Sequence, residues 1–174
     1  GASQMKYQLK KGKNIWYSFK MELGEDLGAK YYDSELREVD PFRIKNPVDA
    51  ARVFFAYLKY LIIKYCTENN ISTDILYAVS IPASFEANQR KDLLDALMAN
   101  DMKVSKQALI DEPNAAFISY AVSRAAEDRP MFISPDYNSK VLVFDFGGGT
   151  CDISILEIGQ SANGFFSKNI AISK

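Results

Sequence analysis

Histidine is absent from the 174 residues. That removes the imidazole of histidine-based triads, a common metal ligand and the side chain that titrates near neutrality. Acid–base chemistry is left to carboxylates, lysine, tyrosine or water. Cysteine occurs only twice, at Cys66 and Cys151, far apart and in no CxxC. No disulfide framework is built in, and a reducing, cytoplasmic setting fits. An excess of one charge is lacking too: 21 Lys and Arg stand against 22 Asp and Glu. This balance gives no electrostatic case for nucleic acid or an anionic membrane as a partner. No apolar run is long enough to span a bilayer, since the richest, 53–65, is broken by Lys59 and Lys64. No signal-peptide pattern opens the chain. Gly1-Ala2-Ser3 carries no initiator Met and reads as a cloning remnant.

What is present is ordinary for a globular protein: 48% hydrophobic and 25% charged residues. The length suffices for one domain or two small lobes. Residues 13–23 partly alternate and predict one or two antiparallel strands, whereas 24–45 are polar and irregular, with Tyr31 and Tyr32 the bulky pair. Asn46-Pro47, with Asp49 behind them, predict a helix start. Ala51, Phe54, Phe55, Leu58, Leu61, Ile62 and Tyr65 keep helical spacing and predict a broad buried face. Residues 75–81 read as a buried strand ended by Pro82. Ser84 is the expected cap of a second helix, 85–99, with Leu93, Leu94, Leu97 and Met98 inward. A strand over 107–110 leads to a third helix begun by Asp111-Glu112-Pro113. Residues 127–139 form a loop with two prolines. Strands follow over 141–144 and 151–158, and Asn163-Gly164 signals a hairpin into a last strand over 165–172.

The segment that carries chemistry is Asp145-Phe146-Gly147-Gly148-Gly149-Thr150. A glycine run lets backbone approach a bulky anion without Cβ clashes, and successive N–H groups can point into one concavity. Thr150 adds a hydroxyl. Asp145, at the end of its strand, could hold metal-bound water or orient a nucleophilic one. A Rossmann turn or a P-loop leads into a helix. Here the glycines lead into a strand and no Lys-Ser/Thr pair follows, so neither fits. By themselves the glycines leave two readings open, a phosphate-binding β-hairpin and a tight turn without a ligand. Taken alone, Glu112 also reads as a plain helix start, Asp152 as a solvated strand residue, Pro82 as a strand terminator, and Cys151 as a core residue.

Val141 to Leu156, around the glycine run, closely resembles the second phosphate motif of Hsp70 chaperones. Ile110-Asp111-Glu112-Pro113-Asn114-Ala115-Ala116 resembles the family's connecting motif. Val79-Ser80-Ile81-Pro82-Ala83-Ser84-Phe85 with Gln89-Arg90 resembles its interdomain strand–helix segment. The three stand in family order at family-like spacing. The resemblance implies an α/β, actin-like ATPase (ribonuclease H-like) fold, a mixed sheet with packed helices, present here incompletely. It implies that the amides of Gly147, Gly148 and Gly149 and the Thr150 hydroxyl hold the β- and γ-phosphates of ATP or ADP. Asp145 would position the attacking water and the water shell of Mg2+, and Glu112 would complete the carboxylate cluster, both as catalytic residues. Asp152 resembles the carboxylate near that metal or a monovalent cation such as K+. Pro82 resembles a hinge-like switch, and Arg90 a link from nucleotide state to the partner domain. The implied partners are nucleotide and, through regions outside these residues, unfolded client proteins and cochaperones.

Asp111 replaces the family's usual Asn, Ser84 stands where Tyr is common and Cys151 where Phe is common. The expected organisation is the end of a small β-containing subdomain over 1–45, a first-lobe α/β segment over 46–139, and the start of a second-lobe sheet with its phosphate hairpin over 140–174. The family's first phosphate hairpin, its catalytic lysine and its adenosine motif are not among these residues, so the isolated chain is expected to bind nucleotide weakly or not at all and not to turn it over. The competing classes are an actin-like filament or scaffold protein, a sugar or acetate kinase of the same fold, and a nucleotide-free binding module.

Overall fold

A computed structural model describes residues 16, 18–28, 36–127, 138–147, 151–161 and 164–173. They fall into two compact units: Gly1–Tyr77 with Glu86–Val104, and Ala78–Phe85 with Ser105–Lys174.

The first unit is helical. Where strands were expected near residue 20, Phe19–Glu22 forms a 3₁₀ turn, and no strand occurs among the described residues before Tyr77. The alternation there is local, and the segment packs against a helix rather than pairing with a strand: the Phe19 and Phe54 rings lie 5.8 Å apart. Leu23 is fully buried. Gly24, at φ +80, takes a left-handed conformation and sits so close to the next helix that a Cβ would meet Asn88 Nδ2 at 2.7 Å. Its N–H donates to Asp92 Oδ2 (2.9 Å) and its carbonyl accepts from Asn88 Nδ2 (3.0 Å). Tyr31 and Tyr32 lie outside the described residues.

Helix α1 (Pro47–Glu68) begins as its cap chemistry requires. Asn46 is extended and its Oδ1 accepts the Asp49 N–H at 2.8 Å. Its buried residues are Pro47, Ala50, Ala51 and Cys66, a narrower stripe than the periodicity predicts. Phe54, Leu61 and Tyr65 are exposed, because α1 packs against the 3₁₀ turn and α2 (Ala87–Met98) and, among the described residues, no further element covers that face. Ser84 does not cap α2. The turn Pro82–Phe85 is closed by the Phe85 N–H on the Pro82 carbonyl, and Glu86 is the N-cap, its N–H bonded to Gln89 Oε1 (2.9 Å). Leu93, Ala96 and Leu97 are buried, while Met98, expected inward, is 62% exposed. Asn100 stops α2 and ties it to α1: Nδ2 donates to the carbonyls of Ala96 and Arg52, both at 2.9 Å.

Strands β1 (Tyr77–Ile81) and β2 (Val104–Asp111) form a two-stranded sheet. The Tyr77 N–H donates to the Lys103 carbonyl, so the strands start side by side, as a parallel β–α–β connection requires. In β1, Ala78 and Ser80 are exposed and Ile81 is fully buried, so the strand is half-buried rather than buried throughout. Helix α3 (Glu112–Ala126) follows β2 without a loop.

A three-stranded antiparallel sheet, β3 (Ser139–Phe146), β4 (Cys151–Ser161) and β5 (Gly164–Ser173), completes the second unit. One face packs on α3: Leu156 and Ile158 are fully buried with Phe117, flanked by Val141 and Val143. The opposite face carries Leu142, Phe144, Phe146 and Cys151, all exposed. Cys151, expected in a core, is therefore a surface thiol, because it pairs with Phe146 on the face that no element among the described residues of this unit covers. The hairpin expected at Asn163-Gly164 is present as the Ser161↔Gly164 pairing, with residues 162 and 163 outside the described set.

Candidate functional site

The β3–β4 register decides the geometry of the site. Phe146 pairs with Cys151 and Asp145 with Asp152. In an antiparallel ladder, directly paired residues project to the same face. Asp145 and Asp152 are thus neighbours on the α3 side of the sheet, one pair in from the last rung, Phe146↔Cys151. Like charges placed directly opposite each other destabilise a strand pair, so the pairing is unfavourable unless a cation or a donor sits between them.

The two carboxylates share a small cleft with Glu112, the first residue of α3, and with Pro82. Val143, Ser154 and Ile172 complete its floor, also on the α3 side of the sheet. Glu112 arrives there because β2 runs directly into α3, with Pro113 buried in the first turn. The helix N-terminus carries partial positive charge, which suits an acidic residue at this end. The cleft encloses about 10 Å³, the space of one water or one small ion.

Among the described residues no three Asp, Glu or Cys side chains converge closely enough to ligate one ion directly. The three carboxylates nevertheless line one cavity. An ion seated there would be held in part through waters lying outside the cleft, as suits Mg2+, which dehydrates reluctantly. The arrangement does not fit a closed all-protein metal cage.

Of the residues singled out in the sequence, the structure brings Glu112, Asp145, Asp152 and Pro82 together. Gly147 is exposed at the end of β3, and Gly148, Gly149 and Thr150 lie outside the described residues. Arg90 is half-buried in the first turn of α2, in the first unit, whereas buried Pro82 belongs to the second. Ser154, 2% exposed, was not singled out. Its signal was available, since it stands two residues after Asp152 on a strand.

A second polar group adjoins the start of α3, joining Asp111 and Asn114 to Ser167 and Asn169, two residues the sequence did not single out. Asp111 is the N-cap of α3, yet its carboxylate does not cap the helix; Oδ2 accepts from Asn169 Nδ2 at 2.8 Å. Asn114, one turn on, donates from Nδ2 to Ser167 Oγ (2.8 Å) and to the Ser167 carbonyl (3.2 Å).

The family model described as Hsp70 protein matches residues 45–169, well over half the chain. A heat shock cognate HSP70 protein of Trypanosoma brucei brucei is 36% identical over 143 residues, 82% of this chain and 18% of that protein. A chaperone protein DnaK of Nitrosopumilus maritimus is 38% identical over 81 residues, 47% of this chain and 11% of that protein. One of Elusimicrobium minutum is 34% identical over 82 residues, with the same coverage. The chain spans less than a fifth of the length of these curated relatives.

Proposed function

Because the chain belongs to the Hsp70 family, and with it to the mixed α/β actin-like ATPase fold, we propose that its second unit forms the metal- and phosphate-facing wall of an ATP site. The observation that carries this reading is the shared cleft of Glu112, Asp145 and Asp152. In this assignment Glu112, Asp145 and Asp152 would hold the water shell of Mg2+, with K+ an additional cation beside Asp152. Asp145 orients the attacking water. The amides of Gly147, Gly148 and Gly149 and the Thr150 hydroxyl bind the β- and γ-phosphates of ATP and later of ADP. Mg2+ supplies charge neutralisation, which phosphoryl transfer needs more than covalent help. Pro82, whose ring lines the same cleft, is assigned as a hinge that senses the nucleotide, and Arg90 as the relay to a partner domain.

The whole protein is then a cytoplasmic, ATP-driven chaperone switch whose further partners are unfolded clients and cochaperones. Within it, 1–45 belongs to a small subdomain, 46–139 to the first lobe and 140–174 to the second. The isolated chain does not turn ATP over, since the family's first phosphate hairpin, catalytic lysine and adenosine motif are not among its residues.

Single-turnover phosphate release by the full-length protein tests the assignment. Asp145→Asn is expected to slow release by about 10²-fold or more, the usual loss when a group that stabilises the transition state is removed. An unchanged rate overturns the role of Asp145. Stimulation of the ATPase by a J-domain protein is expected, and its absence together with concentration-dependent sedimentation points to a filament protein instead.

A further inference from the structure

We infer that the two side-chain bridges between α3 and β5, Asp111–Asn169 and Asn114–Ser167, form a clasp that positions Glu112 in the cleft; the inference rests on the metal-site reading above. Asp111 and Asn114 are one helical turn apart and face the same strand. Ser167 and Asn169 are two residues apart on β5 and so project to the same side of the sheet. Two rungs between a helix start and a strand fix both the height and the rotation of that first turn. Glu112 lies between the rungs in sequence and lines the cleft with Asp145 and Asp152. Rotating the turn by a fraction of a residue moves its carboxylate out of reach of an ion held by the sheet.

Three features mark the clasp as a positioning device rather than a general stabiliser. The first is Asp111, a favoured N-cap residue that forgoes capping to reach Asn169. The second is that Asn114 and Asn169 each leave Oδ1 buried without a hydrogen-bond partner among the described residues, a cost that a leucine of similar size would not incur. Asn114 is nine-tenths buried, so water does not relieve it readily. The third is the irregularity in β5. Between Ile155 and Leu156 the β4–β5 register shifts: Ile155 pairs with Ala171 but Leu156 with Asn169, leaving Ile170 as the extra residue. Without it, Ile170 and Lys168 would take the α3 face in place of Asn169 and Ser167, because a one-residue shift reverses the sides. The bulge lets Ile172 stay on the cleft floor while Asn169 and Ser167 face α3.

The test is a double-mutant cycle on the 174-residue chain, read by Mn2+ broadening of backbone amide NMR signals around Asp152. Glu112→Gln is expected to weaken Mn2+ binding at least five-fold. Asn114→Leu with Asn169→Leu is expected to weaken it by the same factor, and adding Glu112→Gln to that pair to cost nothing further. If the paired variant does not fold, Asn169→Ser, which shortens one rung, enters the same cycle. Loss of stability alone would leave the Glu112 dependence intact. A clasp variant that binds as the wild type does, or that still loses five-fold on Glu112→Gln, overturns the inference. A wild-type chain that gives no broadening around Asp152 overturns the metal-site reading, and the clasp's role with it.

Discussion

Asp145 and Asp152 face each other across one rung of an antiparallel pair, and neither position is there for stability. Opposed like charges cost a strand pair roughly 0.2–1 kcal/mol. Replacing Asp152 by Asn is therefore expected to raise the chain's resistance to denaturant slightly while weakening divalent-cation binding. A urea midpoint measured without and with Mn2+ separates the two effects; a midpoint that falls in the absence of metal contradicts the account. The same residues explain what was readable early. Once a four-residue glycine turn joins two strands, antiparallel pairing brings Asp145 opposite Asp152 by counting alone. Ser167 and Asn169 could not be found by counting, because the bulge at Ile170 changes which side they face.

At the scale of elements, the α3–sheet contact holds the second unit's core. Leu156 and Ile158 are fully buried against Phe117, whose ring stacks on Phe165 with centroids 5.7 Å apart. Leu156→Ala is expected to cost about 2–5 kcal/mol, the range for a large-to-small change in a packed core. Because α3 and the sheet also carry the three carboxylates, divalent-cation binding should weaken along with the denaturant midpoint. A midpoint shifted by less than 1 kcal/mol, by the same core estimate, argues that α3 is held elsewhere. Helix starts were the best-read features of the sequence: Asn46-Pro47 and Asp111-Glu112-Pro113 begin α1 and α3 as their local chemistry dictates. The start of α2 was misread at Ser84. A proline-led turn took up that residue, and the reciprocal Glu86–Gln89 pair capped the helix two residues later.

For the molecule as a whole, the exposed apolar surface is the main consequence of the fold. Phe144 and Phe146, 57% and 79% exposed, stack on each other at 5.8 Å on the uncovered side of the sheet, next to the Cys151 thiol. On α1, Phe54, Tyr57, Leu61 and Tyr65 form a second exposed stripe. Phe144→Ser with Phe146→Ser is expected to reduce binding of a hydrophobic dye and to raise the solubility limit, with little loss of stability; unchanged dye binding means that this face is covered in solution. No helix among the described residues is long and apolar enough to cross a membrane.

The sequence by itself determined the three long helices, the strands on either side of the glycine run and the identity of the acidic residues, because caps, periodicity and pairing are local rules that act over a few residues. It could not say which apolar faces would find cover, and so Phe54, Met98 and Cys151 were expected inside. Burial is a property of neighbours far away in the chain. Only the tertiary structure decided that Glu112 shares a cleft with Asp145 and Asp152, and that Asn169 and Ser167 hold the turn that carries it. Those contacts join residues more than 30 positions apart, and one extra residue in β5 determines that Asn169 and Ser167 are the strand side chains that face α3.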